Sequence, residues 1–145
     1  MIVHPPWLRL CALATLLGVA GCGGGLSTAT GKVTYKGAPV KGAVVVFVPK
    51  DPMDTSQRSS GTTGEDGVYH LTTGKLQGVP AGDYLVSVTW IEYVKQKGKP
   101  GKGLTQPEEE EVRDRLRGRY ADPAKSGLTA TIKSGNNAVP TFELN

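Results

Sequence analysis

Cys22 is the residue in this sequence that is best placed for chemistry. It follows three small residues, Val19, Ala20 and Gly21, and these follow a mostly apolar run from Leu10 to Leu17. Small side chains let a peptidase reach the bond before the cysteine, and a cysteine thiol is a nucleophile. The run is too short for a bilayer, which takes about 20 apolar residues, but it has the length of a signal-peptide core. The sequence therefore predicts cleavage before Cys22.

The four residues from Val19 to Cys22 resemble the bacterial lipobox. This resemblance implies a lipoprotein signal peptide over residues 1–21 and a lipidated Cys22, carrying a diacylglyceryl group and fatty acyl chains such as palmitate. An ordinary secretory peptide with an incidental cysteine is the alternative. Residues 22–30 are rich in Gly, Ser and Thr, which predicts a flexible tether. Gly23 stands where Asp signals inner-membrane retention in some Gram-negative bacteria, so we expect a bacterial cell envelope, with the outer membrane favoured over the inner membrane.

Other reactive residues are few. The cleavage removes Cys11 and leaves an alkylated Cys22, so neither a disulfide nor a catalytic thiol is expected. His70 is the only histidine of the mature chain, and without an orienting partner it cannot act as a base. The mature chain keeps one His and one Cys, which are too few for a zinc site. Glu65 and Asp66 could contact Ca²⁺, but such a site needs six to eight oxygens, and a turn explains them better. We expect no catalytic residue, no metal and no cofactor.

Charge and composition exclude further classes. The formal net charge is +4, and loss of Arg9 with the signal peptide makes it +3. That excess is mild and lacks clustered aromatic residues, so we expect no nucleic-acid partner. The segment from Gly98 to Gly103 lacks the spacing of a phosphate-binding loop and is predicted to be a solvated basic loop. A contact with anionic lipid headgroups or polysaccharide is the alternative for this loop.

The elements that position these residues are predicted to be short strands. Gly (20) and Pro (10) make up about a fifth of the 145 residues, which disfavours a helical bundle. Apolar and polar residues alternate with a period of two, as strands require. Strands are predicted over residues 32–36, 43–48, 68–72, 84–91, 128–133 and 141–144, and residues 50–63 form a long loop that could hide a seventh. The strand at 43–48 is predicted to be central and covered on both sides. Gly135, Asn136 and Asn137 are predicted to turn the chain.

One short helix is predicted in the long connection after residue 91. Residues 93–103 are rich in Lys and Gly and indicate a mobile loop. Thr105 and Glu108 have capping-box spacing, and Gly118 would end the helix. Within it, Glu109–Arg113 and Glu111–Arg115 have the i,i+4 spacing of helical ion pairs. The sequence therefore predicts an all-β, antiparallel β-sandwich of six to seven strands with one short helix in a long loop.

The order of the turn motifs resembles that of carboxypeptidase regulatory-like domains, which have a transthyretin-like (prealbumin-like) sandwich. The residues that carry the likeness are GAPVKGAVVVF at 37–47, TGEDGVY at 63–69 and PAGDY at 80–84. Gly64 stands where Asp is commoner in the family. The ending, with Tyr120, SGLTA at 126–130 and FEL at 142–144, is similar to small lipoproteins of planctomycete bacteria. The resemblance covers residues 31–145 and implies an envelope location and no enzymatic activity.

Sequence and resemblance together lead to a functional expectation. We expect a membrane-anchored envelope lipoprotein whose non-catalytic sandwich at 31–145 binds or supports another envelope protein. A polysaccharide-binding or wall-organising structural protein is the alternative. Recognition in such domains is commonly carried by loops, so the candidate recognition residues are those of the long connection: Tyr93, Lys95, Lys97, Lys99 and Lys102. Trp90 is a candidate glycan contact, with core packing as its alternative role.

Overall fold

Two sheets and a two-stranded ribbon contain all the regular structure of the described residues, which are 25–54, 57–95 and 110–145 of a computed structural model. All elements within these ranges are strands. The described residues therefore contain no helix that could cross a membrane. The small sheet is built on β1 (Thr28–Tyr35), and its other strands are β2 (Ala38–Pro39), β5 (Val68–His70), β12 (Asn136–Ala138) and β13 (Phe142–Leu144).

The large sheet has six strands, of which β3 and β8 lie in the middle. Its spatial order is β11 (Leu128–Ile132), β8 (Gly82–Thr89), β3 (Val44–Pro49), β4 (Ser59–Thr62), β6 (Thr72–Thr73) and β7 (Leu76–Gln77), with all neighbours antiparallel. The ribbon pairs β9 (Ile91–Lys95) with β10 (Glu110–Asp114). The prediction of an all-β sandwich is confirmed, and the 50–63 loop does hide a strand, β4.

The core lies between the two sheets and centres on Phe47 of β3. The Phe47 ring centroid lies 6.4 Å from that of Tyr69 and 6.4 Å from that of Phe142, both in the small sheet. The Tyr69 and Phe142 rings stack nearly parallel, with an interplanar angle of 6°. Alternate residues of β3 are buried because successive strand side chains point to opposite faces, and β8 buries Tyr84, Val86 and Val88 on the same side together with Ser87 on the other. These aromatic contacts therefore join the two layers of the sandwich.

Two core tyrosines differ in whether their hydroxyl is paired. The Tyr84 hydroxyl donates to the Pro80 carbonyl at 2.8 Å, an arrangement similar to the tyrosine corner of sandwich domains. The Tyr69 hydroxyl is buried and has no hydrogen-bond partner among the described residues. Burial raises the pKa of the Tyr69 phenol above its ordinary value. Gly31 makes room for this ring, because a Cβ on Gly31 would lie 2.3 Å from the Tyr69 hydroxyl oxygen.

The predicted helix is wrong. The described part of that segment, β10, is a strand whose register pairs Val112 with Tyr93 and Asp114 with Ile91. The predicted loop beginning at Tyr93 is wrong for the same reason, since β9 continues to Lys95. Pairing across the ribbon supplies backbone hydrogen bonds that outweigh the weak local preferences for a helix. Glu111 pairs with Arg113 at 3.6 Å, and Arg115 pairs with Glu92 at 3.9 Å rather than with Glu111.

Four further expectations need correction. β3 is central, but only one of its faces is buried, and Val44, Val46 and Val48 on the other face are half-buried. The segment predicted to turn the chain at 135–137 leads into β12, which pairs with β1 in parallel. β13 also pairs with β1 in parallel, so the small sheet is not purely antiparallel. β1 itself begins at Thr28, inside the segment predicted to be a tether.

The paired and unpaired tyrosines give a matched test of the core. Tyr69→Phe is expected to raise the free energy of unfolding by about 1 kcal/mol, because it removes a buried hydroxyl that lacks a partner. Tyr84→Phe is expected to lower it by about 1 kcal/mol, because it removes the bond to Pro80. Urea unfolding of the purified variants measures both changes. If Tyr69→Phe destabilises as much as Tyr84→Phe, the hydroxyl of Tyr69 is paired after all.

Candidate functional site

The ribbon β9–β10 extends from one end of the sandwich as a continuation of β8. The backbone N–H of Arg115 donates to the carbonyl of Trp90 at 2.8 Å, so the pairing of the ribbon reaches back to the end of the large sheet. Trp90 also contacts Tyr35, the last residue of β1, with ring centroids 5.9 Å apart. The base of the ribbon is therefore attached to both sheets.

Asp114 holds the base of the ribbon in place. Its Oδ1 accepts hydrogen bonds from the backbone N–H of Trp90 at 3.1 Å and of Leu116 at 3.0 Å. Its Oδ2 accepts one from the N–H of Gly118 at 2.7 Å. These bonds close a turn in which Arg117 has a φ of +54°, a conformation that non-glycine residues adopt rarely. One carboxylate thus fixes the end of β8, the end of β10 and the turn that follows.

A stack of aromatic and charged side chains covers the inner side of this base. The Arg115 guanidinium carbon lies 3.9 Å from the centroid of the Trp90 ring, within cation–π distance. Arg115 also faces the carboxylate of Glu92 at 3.9 Å. The Lys36 ammonium lies 5.3 Å from the centroid of the Tyr35 ring. The half-buried Trp90 indole therefore makes a T-shaped contact with Tyr35 and has Arg115 over one of its faces.

The opposite side of the ribbon carries three exposed apolar side chains. Tyr93 is 68% exposed, Val112 is 59% exposed, and the two are directly opposite each other in the register. Ile91, 37% exposed, is two residues from Tyr93 on the same side. Directly opposite residues on paired strands have adjacent side chains. These three side chains, which we call the ribbon patch, bring half of the large exposed apolar residues of the described chain to one place.

The structure locates only some of the predicted site residues. Tyr93 lies in the ribbon patch. Trp90 packs at the base of the ribbon, and a glycan contact at Trp90 stays a prediction. Lys95 is described in its backbone only, as the last residue of β9. The remaining predictions fall outside the described residues: Val19, Ala20, Gly21, Cys22, Lys97, Lys99, Lys102 and the capping pair Thr105 and Glu108.

Other candidate residues have ordinary structural partners. His70 is exposed on β5, and its Nδ1 lies 3.0 Å from the Thr30 hydroxyl. Glu65 forms an exposed ion pair with Lys41, and the Asp66 carboxylate accepts a bond from the N–H of Val68. Within the described ranges, no group of three or more His, Cys, Asp or Glu side chains could hold a metal ion.

Sequence reasoning missed the roles of Asp114, Arg115 and Val112. Each role depends on a partner about twenty residues away in the chain. The helix prediction gave all three residues helical rather than strand geometry, so it brought none of them to its partner. No alternation of apolar and charged residues marks this strand, because Val112 is the single apolar residue among Glu111, Arg113 and Asp114. The local pattern therefore gave no signal for β10.

Comparisons with known proteins find only distant likenesses in structure. No protein-family model and no curated protein sequence matches this chain. A 9R-lipoxygenase from Cyanothece is similar over 82% of this chain and 16% of its own, with 11% identity and a TM-score of 0.43. A DUF3823 family protein from Parabacteroides merdae is similar over 79% of this chain and 44% of its own, with 16% identity and a TM-score of 0.35. The chain thus spans less than half of each, and likenesses this distant say nothing about its activity.

The role of Asp114 is tested by removing its carboxylate. Asp114→Ala is expected to lower the free energy of unfolding by about 1–3 kcal/mol, because three backbone N–H groups lose their acceptor. Hydrogen exchange at Trp90, Leu116 and Gly118 is expected to become faster. Asp122→Ala, which removes one similar bond from the N–H of Ala124, is the control. Unchanged protection of these three amides in Asp114→Ala contradicts the assignment.

Proposed function

We propose that this chain is a lipid-anchored protein of the bacterial envelope whose β-sandwich is a non-catalytic module that binds another envelope protein. The anchor is the acylated Cys22, in the outer membrane by preference. The module is of the carboxypeptidase regulatory-like, transthyretin-like type. The order of the turn motifs supports this type, and their structural roles fit: Gly67 has a φ of +76° in its turn, and Tyr84 closes the corner at Pro80.

The observation that carries the proposal is the position of the ribbon patch relative to the attachment point. The chain enters the sandwich at Ser27, which bridges to Val79 close to the start of β8. β8 and β9 then run from this end to the other, and Tyr93 lies eleven residues beyond Gly82. At roughly 3.3 Å per residue, a strand path of this length spans at most about 36 Å. An exposed apolar and aromatic patch in that position is suited to a protein partner away from the membrane surface.

Polysaccharide binding is the second candidate. An aromatic ring that is 68% exposed, as that of Tyr93 is, offers a surface on which a sugar ring can stack. Trp90 offers less free surface, because Arg115 already stacks on it. Sugar binding at Trp90 would require Arg115 to move aside.

The anchor is tested by a cysteine substitution. Cys22→Ser is expected to move the protein from the membrane fraction to the soluble fraction, because stable anchoring needs two or more acyl chains and the substitution removes their attachment. Cys11→Ser is the matched control and is expected to leave the fractionation unchanged, since Cys11 leaves with the signal peptide. A Cys22→Ser chain that stays as firmly in the membrane as the parent contradicts the anchor.

The ribbon patch is tested by crosslinking in intact cells. A photoreactive phenylalanine analogue at position 93 is expected to capture one discrete protein, and Val112→Ser in the same chain is expected to weaken that capture several-fold, because Val112 lies directly opposite position 93. The same analogue at Leu76, which is 65% exposed on β7, is the control. Capture of polysaccharide at position 93 favours the second candidate. Equal protein capture at positions 76 and 93 rejects the patch as a binding site.

A further inference from the structure

The outward face of the large sheet is free of charge over its centre. β3 contributes the half-buried Val44, Val46 and Val48 to this face, and β8 contributes Leu85 and Thr89, with the buried Ser87 between them. The positions of β4 and β11 that share the face hold only serine and threonine side chains. Within these described strands the charges stand at one rim, where Asp83 lies near Lys50 at the attachment end.

The outward face of the small sheet does carry charged side chains, so this fold does not require an uncharged outward face. Its outward positions include Lys32 on β1, His70 on β5 and Glu143 on β13. Charged residues make up 21% of the chain, so a charge-free surface that extends over four strands is a departure from the composition of the rest. Depletion of charge at the centre of a surface is typical of an interface.

We propose that two copies of this chain pair through the outward faces of their large sheets. A hydroxyl group both donates and accepts hydrogen bonds, so a face of serine and threonine side chains is complementary to a second copy of itself. Two mature chains that each carry a formal charge of +3 meet here without like-charge contacts. An acidic or basic partner finds no complementary charge on this face. The valines and Leu85 supply apolar surface for burial between the copies.

The direction of the strands matches this pairing. β8 begins at the attachment end and runs toward the ribbon, so the face lies along the side of the domain rather than at its tip. A two-fold axis parallel to the strands joins the faces and leaves both tethers at the same end, as two proteins on one membrane require. This part of the argument rests on the proposed anchor. Such a pair places two ribbon patches at the far end, where a partner meets both.

The proposal is tested by thiol crosslinking of the full-length protein in membranes. Val46→Cys, at the centre of the face, is expected to give a covalent dimer with a short bis-maleimide reagent. Val68→Cys is the matched control, because Val68 is also a half-buried strand valine but lies on the outward face of the small sheet. The parent chain gives the background. Light scattering of detergent-solubilised protein adds a second measurement, in which Val46→Glu is expected to lower the dimer fraction more than about tenfold and Val68→Glu to leave it unchanged.

Three outcomes overturn the proposal: no dimer from Val46→Cys, an equal yield from Val68→Cys, or a Val46 crosslink to a different protein. Crosslinks are counted in the membrane fraction alone. Failure of the anchor therefore shows as protein missing from that fraction, whereas failure of pairing shows as monomer within it.

Discussion

The ring of Phe47 is the contact on which the sandwich depends, because it touches both layers. It lies 5.7 Å from Tyr84 within the large sheet and 6.4 Å from Tyr69 and Phe142 in the small sheet. Tyr69 can reach this position only because Gly31, directly opposite it on β1, has no side chain. The alignment of the sheets, the path of β8 and hence the position of the ribbon follow from this cluster.

The ribbon shows how an exposed apolar patch can be supported on two paired strands. Its two strands pair along five residues, and its base is held by the Asp114 carboxylate and by the stack of Tyr35, Trp90 and Arg115. Its charges on the inner side are neutralised by each other, as Glu92 and Arg115 are. The apolar side therefore faces solvent from a support with a defined direction. A patch held in this way loses little conformational entropy when a partner binds.

The sequence predicted the parts of the fold that depend on local pattern. Alternation located the strands around Tyr84 and Ile132, and a continuous apolar run located the strand around Phe47. The turn expected at Glu65 and Asp66 is present, and Gly67 completes it with a positive φ. The error at β10 has a clear physical cause. Capping-box spacing and possible ion pairs from Glu109 and Glu111 are local signals for a helix, each worth a few tenths to about 1 kcal/mol. The pairing with β9 comes from residues 15 to 23 positions away and cannot be read from that window. For the same reason Tyr93 could be named as a candidate site residue, whereas its neighbour Val112 could not.

The first strand of the sandwich has the last strands of the sequence as its neighbours. Thr28 pairs with Asn136, and Val33 pairs with Phe142, so β1 lacks one of its edges until residues 136–144 have been synthesised. The ribosome synthesises the chain from its N-terminus. Contacts between β1 and residues 136–144, which lie more than 100 residues apart, therefore form only when synthesis is nearly complete. Until then Ala29 and Val33 have no complete core to enter. The first strand of the sandwich therefore cannot complete its sheet until nearly the whole chain has been synthesised.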